Sequence, residues 1–209
     1  MRCFMKSIMP CILLAIILGT SITEAQLIKA YGFKAGTVAA TQSFDYSINV
    51  SIPTDNGWGI DVGGFVEFFH LPFFSLLTEL HYTQKGFSTA LMETTPAQPE
   101  GTGRYITIRP RTDYLSIPIL AKLRFDNKPV TPYVFLGPRF DFLLSTESSL
   151  DYSSTDVGAT LGGGIQFSII SVPELLIEGR FSPSFRNVFQ NQYLTVKNRS
   201  FEILVGATF

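Results

Sequence analysis

Few residues in this chain have the means to do covalent or metal chemistry. Its 209 residues include two histidines, His70 and His81, and two cysteines, Cys3 and Cys11. Glu79, His81 and Ser116 can be written as an acid, a base and a nucleophile, but hydrolysis needs such a set to converge at an accessible rim. All three fall on the polar faces of segments that read as barrel wall. His81 is therefore expected to be a hydrogen-bonded interior histidine, and the chain is expected not to be an enzyme. Two distant histidines without a cysteine after residue 25 do not make a zinc site. Asp151 and Asp156, read in one loop, have the chemistry for a weak calcium ion, although solvated loop carboxylates are the ordinary reading. Gly162-Gly163-Gly164 falls mid-strand with no following helix, unlike a phosphate loop. No cofactor is expected.

The other charged residues form a pattern. From Leu27 onward the dominant period is two, the signature of strands. Strands are expected at 27–41, 57–69, 75–90, 105–125, 131–145, 156–170, 175–184 and 198–209. Most reach the ~9–11 residues that a tilted strand needs to cross a membrane. Short connections near 70–74, 126–130 and 171–174 alternate with longer polar ones near 42–56, 91–104, 146–155 and 185–197. That alternation suits an up-and-down outer-membrane barrel with both termini on the periplasmic side. The stretch 94–103, with Pro96, Pro99, Gly101 and Gly103, reads as a mobile loop tip. Pro118 and Pro138 fall inside strands, nearly opposite one another, where a bulge or kink is expected.

Alternation does not say which face points inward, because a soluble lipocalin-like barrel hides its apolar face and a membrane barrel turns it outward. The composition of the polar faces decides. They carry the acids Asp61, Glu67, Glu79, Asp141, Glu178 and Glu202 against the bases Lys34, Lys85, Lys122, Arg124, Arg139 and Arg180. Balanced charge, with Arg139/Asp141 and Glu178/Arg180 two residues apart on one face, suits a closed interior where charges must be paired. The expected fold is all-β: an eight-stranded antiparallel transmembrane β-barrel whose polar lumen is plugged by these residues and His81. Setting Leu27 and Phe209 at one rim predicts a Lys34–Glu202 salt bridge across the seam. Trp58, Phe68, Phe69, Tyr82 and Tyr133 are placed for interfacial girdles.

Residues 1–25 read as a cleaved signal peptide: basic Arg2 and Lys6, a short apolar run from Ile12 to Leu18, and small residues before a junction at Ala25–Gln26. The barrel domain is then 26–209, free of cysteine and disulfides, and destined for the cell outer membrane. With 16 Lys+Arg against 17 Asp+Glu, no basic excess points to nucleic acid.

Three motifs carry a resemblance. They are Tyr114-Leu115-Ser116-Ile117-Pro118-Ile119-Leu120-Ala121-Lys122, then Pro132-Tyr133-Val134-Phe135-Leu136-Gly137-Pro138, then the glycine-rich Asp156-Val157-Gly158-Ala159-Thr160-Leu161-Gly162-Gly163-Gly164-Ile165. In order and spacing they resemble the PorT-like outer-membrane β-barrel family, found mainly in Bacteroidetes. The resemblance implies an eight-stranded barrel without enzymatic activity, and a namesake associated with a protein secretion system. Phe209 is similar to the terminal aromatic recognised by barrel-assembly machinery. The expected function is a structural, assembly or secretion-associated component, whose partners are outer-membrane lipid, the assembly machinery and secretion components. An extracellular binding barrel acting through its long loops is the alternative, and a small channel a third reading.

Overall fold

A computed structural model of the chain describes residues 27–46, 55–69, 71–96, 98–99, 101–125, 129–147, 153–168, 173–187 and 194–209. The expected signal segment with the Ala25–Gln26 junction, His70 and Asp151 lie outside the described residues.

A period of two puts alternate side chains on opposite faces of an extended chain, and the described residues fold accordingly. Nine strands follow in order: β1 (Ile28–Tyr46), β2 (Asp55–Phe68), β3 (Phe74–Met92), β4 (Tyr105–Ile108), β5 (Arg111–Arg124), β6 (Val130–Thr146), β7 (Thr155–Phe167), β8 (Glu174–Pro183) and β9 (Leu194–Thr208). Every pairing is antiparallel, and β9 returns to pair with β1, which closes an eight-stranded up-and-down barrel. β4 is not a ninth stave. It continues β5 in the same register along β3, with Gly86 opposite Arg111 and Thr89 opposite Ile108. The strand expected over 105–125 is divided at Arg109–Pro110, where proline has no N–H for the ladder.

Among the described residues, Ser88 is the last of β3 paired with β2. Beyond it, β3 and β4 run on as a two-stranded arm. The tip expected over 94–103 is tied by backbone bonds from Glu93 N–H to Arg104 O and from Thr102 N–H to Glu93 O, both 2.8 Å.

Of the bulge or kink expected at Pro118 and Pro138, no bulge forms. Pro118 pairs with Arg139, the β5–β6 ladder lapses until Ala121 meets Leu136, and the register is unchanged. A missing donor removes ladder bonds, whereas a bulge needs an extra residue. The bulge of this hairpin lies instead between Asp113 and Tyr114.

The seam register also differs from expectation. Lys34 pairs with Gly206 and Glu202 with Val38, so the predicted Lys34–Glu202 salt bridge does not form. Leu27 overhangs the end of β9, and Tyr31 exchanges backbone hydrogen bonds with Phe209. The rings of Tyr31 and Phe33 each lie 6.1 Å from that of Phe209, a contact that a seam slipped back by four residues would lose.

The two faces are inverted relative to a soluble protein. Val62, Leu80, Leu136, Ile177, Ile203 and Val205 lie exposed on the outer wall, while the buried residues are mostly polar or charged. The interior is not polar throughout, however: Phe65, Leu77, Leu120, Tyr133, Phe135 and Leu176 form an apolar cluster within it. The glycine-rich β7 makes room for this cluster. Gly162 and Gly164 stand directly opposite Phe135 and Tyr133, and a Cβ on either would come within 2.7 Å of the facing ring.

Candidate functional site

The polar residues of the inner faces meet in three tiers across the lumen. The tier nearest the short turns centres on Glu67 of β2. Its carboxylate receives Lys29 at 2.7 Å, Lys122 at 3.0 Å and Arg124 at 3.8 Å. Lys29 was not legible from the period. It sits at a register shift between Ile28 and Ala30, and an extra residue turns a side chain to the other face.

The central tier draws on five strands. Lys34 of β1 donates to Glu79 of β3 at 2.6 Å and to Glu178 of β8 at 2.7 Å. Arg180 reaches the same two acids, at 2.6 Å and 2.5 Å. The hydroxyl of Tyr133 on β6 donates to Glu178 at 2.8 Å. His81 Nδ1 meets Asp61 of β2, and its Nε2 lies 3.2 Å from Glu79. Thr83 donates to the second Asp61 oxygen at 2.7 Å.

The third tier lies toward the long loops. Lys85 donates to Asp141 at 2.6 Å, Arg139 Nε lies 3.0 Å from the same oxygen, and Arg139 Nη1 lies 3.7 Å from Glu202. Asp156 stands opposite Asp141 across β6–β7 and accepts from Ser184 at 2.5 Å and Asn198 at 3.3 Å. Within the lumen, Lys34, Lys85, Lys122 and Arg180 also lie 4.2 to 5.2 Å from the ring centroids of Phe65, Tyr114, Tyr133 and Phe135. Such contacts add attraction to a desolvated cation.

Every charged residue expected in the lumen is buried except Arg124, which is partly exposed. Two other expectations are corrected. Tyr133 is no girdle residue but is buried, with its hydroxyl on Glu178. Its odd-numbered place on β6, shared with Arg139 and Asp141, was the available signal. Asp156 is not a solvated loop carboxylate, because β7 begins at Thr155 and buries it. Adding Lys29 and the buried Asp113 and Asp156 gives eight acids against seven bases, with Asp113 also paired to the exposed Arg111.

Buried ions are stable only when paired and hydrogen-bonded, and these tiers supply that pairing between strands far apart in the chain. They act as cross-braces. Glu79, His81 and Ser116 are each no more than 2% exposed, which gives a substrate no approach to them. Among the described residues, no group of three or more His, Cys, Asp or Glu is placed to hold a metal ion.

The chain matches the model of the family described as outer membrane protein beta-barrel domain over residues 25–190. No curated protein matches it. Among solved structures it is similar to Neisserial surface protein A, with a TM-score of 0.50 and 12% identity over 86% of this chain and 97% of that one. It is also similar to outer membrane protein OprG from Pseudomonas aeruginosa, with a TM-score of 0.50 and 9% identity over 86% and 95% of the two chains. The outer membrane protease OmpT from Escherichia coli gives a TM-score of 0.50 and 6% identity over 91% and 99%. At such identities the likeness is one of fold. The inverted faces, the closed eight-stranded barrel and the family match agree: the chain belongs to the outer membrane protein beta-barrel domain family and is a β-barrel of the outer membrane.

Proposed function

We propose that this barrel is a non-enzymatic structural component of the outer membrane that serves assembly or secretion through its rims, in keeping with its PorT-like motifs. The observation that carries this reading is the bracing of the lumen by three tiers of ion pairs. An interior committed to cross-bracing leaves the rims and outer wall as working surfaces. Proteolysis, the activity in the name of OmpT, finds no accessible nucleophile, base and acid together in Ser116, His81 and Glu79. On this reading residues 1–25 direct export and are removed. Phe209, stacked on Tyr31, is the end recognised by assembly machinery.

A tagged copy purified from native outer membranes in mild detergent tests the proposal. Secretion or assembly components recovered at a fixed ratio support it. A barrel that comes out alone, while a known membrane complex survives the same detergent, contradicts it.

A further inference from the structure

A cleft of about 550 Å³ opens at the long-loop end of the barrel, within the roughly 300–1,000 Å³ of small-molecule sites. β2 contributes Asp55 and Trp58, β3 contributes Ser88, the β4–β5 break contributes Arg109 and Arg111, and Glu147 follows β6. Strand register puts Asp55, Ser88 and Arg111 on the outer face, since the intervening Lys85 and Thr112 point inward. Gly57 and Gly86 add backbone without side chains, which leaves space between these walls.

The cations of the cleft are largely paired: Lys85, which also lines it, is held by Asp141 at 2.6 Å. Arg109 and Arg111 face Asp55 and Glu147, and Arg111 is already held by Asp113 at 3.3 Å and Glu147 at 3.8 Å. Cations already held by carboxylates leave little net field to attract phosphate or sulfate. The cleft does offer forked guanidinium and carboxylate groups, whose paired donors and acceptors match neighbouring hydroxyls. Beside them lies Trp58, 77% exposed and the single tryptophan of the chain. A pyranose presents the complement of this arrangement, with a rim of hydroxyls and a C–H face that packs on an aromatic ring. The height of the cleft is informative as well. An exposed tryptophan on the outer wall of a membrane barrel lies at headgroup level, where a glycolipid displays its sugar.

We infer that this cleft binds a neutral saccharide, supplied either as a free oligosaccharide or as a glycolipid headgroup. Trp58 is the stacking face, and Asp55, Arg109 and Glu147 are the hydroxyl-binding groups. The inference does not depend on the assembly reading, because the cleft opens at the long-loop end and shares only Lys85 with the ion-paired tiers.

The single tryptophan makes a direct test possible. The folded barrel in detergent is titrated with maltose, lactose and cellobiose at millimolar concentration while Trp58 emission is followed. A second arm compares emission in nanodiscs with and without glycolipid. A saturable change is expected, weakened about five- to tenfold by Arg109→Ala or Asp55→Asn, the fold-change of one lost hydrogen-bond partner. Both positions are on the surface, and unchanged gel mobility of unheated samples verifies folding. A response only in glycolipid nanodiscs assigns the headgroup source, and a response to sugars in detergent assigns the free source. No response in either arm overturns the inference, as does an equal response to inorganic phosphate or one that both variants retain in full.

Discussion

The central and loop-side tiers use the same residue types but differ in how completely they are paired. In the central tier, Glu79 and Glu178 each hold both Lys34 and Arg180, while Asp61 is held by His81 and Thr83. In the loop-side tier, Arg139 Nη2 and Asp141 Oδ1 have no partner among the described residues. Between the two tiers, Arg139 and Glu202 on one side and Asp61, His81 and Arg180 on the other border a cavity with room for about one water molecule. Pro118 lines the same cavity, at the point where the β5–β6 ladder lapses. The difference teaches where the interior is locked and where it has play. Reciprocal pairing holds the middle of the barrel, and Arg139 and Asp141 keep unpaired atoms toward the loop side.

Substitutions can break this comparison. Arg180→Leu has the largest expected effect, because it strips a cation from Glu79 and Glu178 together. A loss of about 3–5 kcal/mol is expected, read as a lower urea midpoint for the refolded barrel with Trp58 emission as probe. Gly162→Val comes next: its side chain collides with the Phe135 ring, and overpacking of this kind costs about 1–3 kcal/mol. Arg139→Leu is expected to cost less than Arg180→Leu, about 1–2 kcal/mol, since part of its guanidinium has no partner to lose. Equal losses for the two arginine variants would erase the distinction between the tiers. Lys29→Ala is the mildest, at about 0–1 kcal/mol, because Lys122 and Arg124 stay near Glu67.

The wall of this barrel was legible in its sequence because each strand separates lipid from lumen, and that demand prints a period of two on residues such as Ile203, Val205 and Glu202. Register was not legible. The Lys34–Glu202 expectation failed because alternation fixes the face of a side chain but not its height, which the Tyr31–Phe209 pairing and the acids that capture Lys34 set through the whole fold. Lys29 escaped notice because a local bulge reverses the face. Tyr133 was misplaced because an aromatic residue suits a girdle and a lumen equally, and its hydroxyl partner, Glu178, comes from a strand far along the chain. The outer cleft could not be read at all. Trp58, Arg109 and Glu147 come from separate segments that only the closed barrel brings together.

Ion conduction through the purified barrel in a planar lipid bilayer tests the braced interior most directly. The account predicts a silent trace for the wild-type protein across a range of applied voltage, since three tiers of paired side chains cross the lumen. Steady, ohmic single-channel steps would contradict it, because they require a continuous water path past Glu67, Glu79 and Asp141.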